Sequence, residues 1–213
     1  CSKKELESVN ETSLIEKNGV YYTKDKQLYS GQVSSLYENG SIKSEWTLKN
    51  GRLDGLYNLW YKSGKKWFQK NYKDGELDGL SIFWDREEFL DTEKTYKDGI
   101  QIGKYEYWFD DGTKKWELYY NDDGTRDSTK LTTRWYESGQ KWYEGYSKTL
   151  NDTTSVWNGL KTTWYENGQK MLEGTFKDGE IVGLYTSWYE NGQKREEATF
   201  KEGARDGKSS MWY

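Results

Sequence analysis

The chain has 213 residues, of which 32 are basic and 36 acidic, for a net charge of −4, and its mean hydropathy is −1.17. Charges of both signs are interspersed, which excludes the basic footprint of a nucleic-acid binder, and no aliphatic run is long enough to span a bilayer. Histidine is absent, which removes Ser-His-Asp and Cys-His catalysis and most zinc sites. Such low hydropathy usually accompanies disorder, but 12 Trp and 19 Tyr argue for an ordered chain.

In chain order, the first feature is Cys1, the only cysteine, followed by Ser2-Lys3-Lys4-Glu5. This start resembles the mature end of a bacterial lipoprotein, so Cys1 is expected to carry lipid and residues 1–17 to form a polar tether. The implied localisation is the bacterial cell envelope, lipid-anchored and extracytoplasmic, with membrane contact through the anchor only. Residues 18–30 read as an eroded first copy of a unit that repeats from Gly31 onward.

From Gly31 a fixed period takes over. Gly31, Gly55, Gly79 and Gly103 are 24 residues apart, as are Trp60, Trp84 and Trp108, then Trp164, Trp188 and Trp212. A period of this length means one small supersecondary unit stacked many times. Within residues 55–78, Leu56–Tyr61 and Trp67–Tyr72 alternate like strands, and glycine about every twelve residues rules out helix. Between the two runs sits Ser63-Gly64, elsewhere Asn39-Gly40, Asp111-Gly112, Asn167-Gly168 or Asn191-Gly192, expected to form type I′ turns. Lys73-Asp74-Gly75 and its counterparts supply a second turn. The fold expected over residues 18–213 is therefore all-β: an elongated meander of stacked antiparallel β-hairpins, either a single twisted ribbon or an open solenoid. About seven hairpins at about 4.8 Å per strand would give a length of about 70 Å, closed by a capping strand that ends at Trp212-Tyr213.

Three departures from the period stand out. Asp85-Arg86-Glu87-Glu88-Phe89 replaces one tight turn, and the steps Trp108 to Trp135 and Trp135 to Trp164 lengthen to 27 and 29 residues. The extra residues fall near 121–130 and 147–158, as loops that in repeat proteins often line a binding face. Asp54-Gly55, Asp78-Gly79 and Asp206-Gly207 recur at the joint between units. Turn chemistry accounts for them better than calcium, because the position becomes Ile102, Asn158 and Val182 elsewhere. No metal or cofactor is expected, and some carboxylate pairs such as Asp110-Asp111 are inevitable among 36 acids.

Residues 165–188 carry Tyr165, Asn167, Gly168, Phe176, Lys177, Asp178, Gly179, Gly183 and Trp188 at spacings that resemble the bacterial variant of the MORN repeat, and the resemblance extends from Gly31 to Tyr213. It implies a non-enzymatic module that binds proteins, a scaffold or adhesion element whose partner is a host or envelope protein. Two alternatives accompany it: a cell-wall or glycan binder working through its aromatic ladder, and an antitoxin-like partner, as some bacterial members are described. Trp60, Trp84, Trp108, Trp135, Trp164 and Trp188 are the candidate ligand contacts. The glycan alternative turns on whether these rings pack together or stand free.

Overall fold

The computed structural model describes residues 8–151 and 154–213. The chain forms two compact units, Cys1–Gln101 and Ile102–Tyr213. The first contains strands β1 (Val9–Asn10), β2 (Ile15–Lys17), β3 (Val20–Tyr22), β4 (Gly31–Leu36), β5 (Ile42–Lys49), β6 (Arg52–Trp60), β7 (Lys66–Lys73), β8 (Glu76–Trp84) and β9 (Leu90–Lys97). The second runs from β10 (Ile100–Trp108) through β11 (Lys114–Tyr120), β12 (Leu131–Trp135), β13 (Lys141–Asn151), β14 (Thr154–Trp164), β15 (Lys170–Lys177), β16 (Glu180–Trp188) and β17 (Lys194–Lys201) to β18 (Ala204–Met211). From β4 to β9 and from β10 to β18, each strand pairs antiparallel with the next in the chain. Neither series closes on itself as a barrel, so the architecture is the expected open meander of hairpins.

The two turn signals take each other's expected roles. Asn50, Asp74, Asp98, Asp178 and Glu202 have φ near +50°, and the glycine after each is also positive. These Lys-x-Gly corners are the two-residue type I′ turns, flanked by pairs such as Lys73↔Glu76 and Lys177↔Glu180. At Asn39-Gly40 only the glycine is left-handed. There Gly40 N–H donates to Tyr37 O (2.9 Å) and Tyr37 N–H to Ser41 O (2.8 Å), a type I turn followed by a left-handed glycine. The same pair of bonds recurs at Tyr165 and Tyr189. Asn39 and Asn191 use their side chains instead, accepting from Ser41 and Gln193 backbone N–H. Asn-Gly therefore shapes this loop through an Asx contact rather than through positive φ at asparagine.

Each unit is also bonded to the next at both edges of the sheet. On one edge the turn glycine donates backward: Gly51 to Tyr29 O, Gly75 to Leu53 O, Gly99 to Leu77 O and Gly179 to Trp157 O, all at 2.7–2.9 Å. The joint side chain accepts beside it, so that Asp74 N–H reaches Asp54 Oδ2, Asp98 reaches Asp78 and Asp178 reaches Asn158 Oδ1. The joint aspartates thus cap the next turn. On the other edge the tyrosine that opens the loop in five of the hairpins donates its hydroxyl to the Trp carbonyl of the following hairpin. The pairs are Tyr37–Trp60 (2.7 Å), Tyr61–Trp84 (3.1 Å), Tyr136–Trp164 (3.0 Å), Tyr165–Trp188 (2.9 Å) and Tyr189–Trp212 (2.8 Å).

The tether expected over residues 1–17 needs correction. Cys1 and residues 2–7 lie outside the described residues, but β1 pairs parallel with β4 and β2 pairs with β3 in a separate two-stranded sheet. Val9, Leu14, Tyr21 and Tyr29 pack on the buried cluster Val33, Trp46 and Leu48. The first hairpin has no preceding hairpin to cover it, and this segment covers it instead. Residues 18–30 keep two pieces of the repeat: the Lys-x-Gly corner at Asn18-Gly19, with φ of 53° and 74° and the flanking pair Lys17↔Val20, and Ser30 Oγ accepting from Asn50 N–H at 2.8 Å as Asp54 does from Asp74.

Candidate binding face

Each hairpin breaks register once, one residue before its periodic Trp, so that in most units the Trp faces a lysine across the bulge. The pairs are Trp60↔Lys66, Trp108↔Lys114, Trp135↔Lys141, Trp164↔Lys170 and Trp188↔Lys194. The same lysine reaches over the Trp of the next unit. Lys66 lies 5.5 Å from the Trp84 ring centre, Lys114 5.6 Å from Trp135, Lys141 5.7 Å from Trp164, Lys170 5.7 Å from Trp188 and Lys194 5.8 Å from Trp212. The six candidate tryptophans are all half-buried, and an ammonium group lies over Trp84, Trp135, Trp164 and Trp188. This places the glycan question between its two poles: the rings neither stack on one another nor stand free.

Next to the Trp row runs a row of acids and hydroxyls. In the second unit the cross-strand pairs link Glu106, Glu117, Thr133, Glu144, Thr162, Glu173, Thr186, Glu197 and Ser210. Lysines of the Trp row neutralise the acids three residues on: Lys114–Glu117 at 2.8 Å, Lys141–Glu144 at 2.6 Å, Lys170–Glu173 at 2.7 Å and Lys194–Glu197 at 2.5 Å. This Lys-x-x-Glu spacing recurs in the sequence and could have been found there. The densest knot is Lys104, Lys114, Glu106 and Glu117, with Tyr119 Oη donating to Glu117 at 2.9 Å. Burial alone would raise the Glu117 carboxyl, but the bonds from Lys114 and Tyr119 and the nearby positive charge bring it down to about 2. By strand alternation Leu56 in the first unit, and Leu160 and Leu184 in the second, share a face with Trp60, Trp164 and Trp188 respectively and are 43%, 49% and 59% exposed.

The opposite face carries the ring-on-ring packing. Trp46, Tyr57 and Phe68 follow one another at 5.4 Å, and Tyr143 meets Trp157 edge-on at 5.3 Å. Cations are built into this packing. Lys161 Nζ sits 4.4 Å from the Trp157 ring centre, 5.6 Å from Tyr143 and 5.9 Å from Phe176, and burial lowers its pKa. Arg134 lies 4.5 Å from Trp142 and 5.4 Å from Trp116.

Within the second unit the face is interrupted at the first insertion. Strands β11 and β12 share only the pairs Trp116↔Arg134 and Glu117↔Thr133. Beyond Glu117, β11 bonds to its own loop: Tyr120 bridges to Arg126, and Asp127 N–H donates to Tyr119 O at 2.9 Å. The loop is braced from within, since Asp123 and Asp127 accept from the backbone of Thr125 and Thr129, and Arg126 N–H reaches Thr149 Oγ1 at 3.0 Å. Over β12, with β11 and the loop on one side and β13 on the other, lies an open groove of about 450 Å³. Tyr119, Trp135 and Tyr146 give it rings, and Glu117, Glu144, Lys130 and Lys141 give it charges.

Fold and face together define an open, edge-bonded array of β-hairpins, a repeat protein whose surface is copied unit by unit. The MORN repeat variant matches four segments, residues 29–50, 53–74, 157–178 and 181–202, and these segments are MORN repeats of that variant type. Repeats of this kind are generally protein- or membrane-binding modules. The unmatched stretch between residues 74 and 157 contains the altered turn and the first insertion, yet its hairpins keep the same bulge before Trp84, Trp108 and Trp135. No curated protein matches the chain. A chain of the solved structure described as "Crystal Structure of TcdB2-TccC3-Cdc42" aligns over 85% of this chain at 9% identity with a TM-score of 0.25, and this chain spans 12% of that one. Nothing about fold or function can be drawn from that score.

Proposed function

We infer that this protein is a non-enzymatic scaffold that offers its Trp–Lys–Leu face to another protein and is held at the extracytoplasmic surface of a bacterial envelope by lipid on Cys1. The observation that carries the reading is the recurrence of an exposed leucine beside a lysine-flanked Trp, at Leu56, Leu160 and Leu184. Recurrent apolar side chains left in water on one face are what a partner surface covers. The neutralised Lys-x-x-Glu row beside them would form the polar surround of such an interface. Leu160 and Leu184 are 49% and 59% exposed, so replacing both with Asp should leave thermal unfolding almost unchanged. Partners crosslinked to the wild-type domain in envelope extracts should then be lost from the double variant. Identical capture by the two proteins would remove this face from consideration. The anchor is tested separately: Cys1→Ser should move a folded protein from the membrane fraction to the soluble one, and acyl-free Cys1 in the native host would refute it.

A further inference from the structure

We propose that the groove between β11 and β13, beside the loop at residues 121–130, binds a neutral saccharide. The groove lies on the repeated face, where Glu117, Thr133 and Glu144 of the acid row meet Trp135 and Lys141 of the Trp row, at the place where β11 turns to its own loop and leaves β12. Its volume of about 450 Å³ lies within the range of small-molecule sites, about 300–1,000 Å³.

The charge pattern selects the ligand class. Glu117 and Glu144 face Lys130 and Lys141, two charges of each sign. Glu144 is paired to Lys141 at 2.6 Å and Glu117 to Lys114 at 2.8 Å. A phosphate or carboxylate ligand would have to compete with Glu144 for Lys141. A cationic ligand would have to displace lysines already in place, and the depressed Glu117 carboxyl reflects how firmly that charge is held. A hydroxyl both donates and accepts, so a sugar can bond to carboxylate oxygen and ammonium N–H at once without unbalancing the pairs. Tyr119, Trp135 and Tyr146 supply rings for the C–H face of a pyranose, and Thr133 adds a further hydroxyl. The loop wall is already ordered by its own Asx bonds, so binding does not have to order it.

The test is two-dimensional NMR of the Trp indole N–H groups of the whole chain during titration with cellobiose, N,N′-diacetylchitobiose and maltose, with an anionic heparin disaccharide as comparison. At least one neutral disaccharide should give saturable shifts of the Trp135 indole, with the heparin unit weaker. Tyr146→Ser and, independently, Leu131→Asp should each weaken the binding by at least about tenfold while the other indole signals keep their positions. Leu131 is 37% exposed, so the second variant keeps the test valid if the first does not fold. Absence of saturable binding by all three neutral sugars overturns the proposal. So does preference for the heparin unit, or binding that survives both substitutions. The scaffold reading stands or falls separately, because its test substitutes Leu160 and Leu184 outside this groove.

Discussion

Tyr165→Phe removes one hydroxyl and nothing else from the ladder that joins each hairpin to the next. The Tyr165 hydroxyl donates to Trp188 O at 2.9 Å in a part-buried setting. A neutral hydrogen bond of this kind contributes about 1 kcal/mol net. The unit Ile102–Tyr213 has about 110 residues, so its unfolding entropy near the melting temperature is about 0.23 kcal/mol/K. The variant should therefore melt about 4 °C lower if the unit unfolds cooperatively. The molecule also contains the reverse experiment. Phe109 occupies the tyrosine position, and its loop has the same bonds, Phe109 N–H to Thr113 O at 2.8 Å and Gly112 N–H to Phe109 O at 2.9 Å. Phe109→Tyr should hand a hydroxyl to Trp135 O and raise the melting temperature by a similar amount. Differential scanning calorimetry of both variants, backed by urea titration, checks the pair. If both lie within about 1 °C of wild type, the hydroxyl ladder is ornamental and the turn-glycine bonds on the other edge hold the units together.

Trp46 is 4% exposed and Trp188 is half-buried, so Trp46→Ala should cost about 3–5 kcal/mol and Trp188→Ala clearly less, as read from urea midpoints. The opposite order would mean that the Trp–Lys row, not the capped first hairpin, is the stronger packing. Glu117 has a folded pKa of about 2 against the ordinary 4.5, so it contributes stability above pH 4.5 that is lost as the pH falls through 2. Because the carboxyl is partly solvated, Glu117→Gln should cost about 1 kcal/mol at pH 7, and the difference from wild type should close below pH 4.5; a difference independent of pH would refute the charge pairing.

The period of 24 made the strands and the meander legible, because glycine and aromatic spacing report backbone geometry directly. Chemistry that depends on which atoms meet was harder to read. Lys-Asp-Gly and Tyr-x-Asn-Gly both look like hairpin turns, and only the backbone angles distinguish the type I′ corner from the type I loop. The tyrosines of the hydroxyl ladder stand after Trp60, Trp135, Trp164 and Trp188 in the sequence, but their acceptor is a main-chain carbonyl one hairpin on, to which no side-chain pattern points. Residues 9–29 escaped notice for a different reason. Val9, Leu14, Tyr21 and Tyr29 have no regular spacing, since they serve one unique end of the array rather than a repeated face. The six tryptophans were grouped by their spacing, while the lysines laid over several of them and the groove at Trp135 required the register.

A mean hydropathy of −1.17 and a folded sheet are compatible here because little of the packing is aliphatic. Among the described residues the buried apolar side chains are Val33, Trp46, Leu48, Leu118 and Ala198. The rest of the cohesion comes from half-buried rings, lysine stems laid across them and hydrogen bonds at both edges, all between neighbours. In such an array each interface is nearly independent, so a change at one joint need not spread. That independence is what lets the insertion at 121–130 draw β11 away from β12 while β12 keeps its five pairs with β13, from Leu131 to Trp135. A continuous core would have closed such a gap or lost its register. The groove is thus a product of the repeat's local stability, in which the loop residues Thr129 and Lys130 join copied positions such as Trp135, Lys141 and Glu144 in one site.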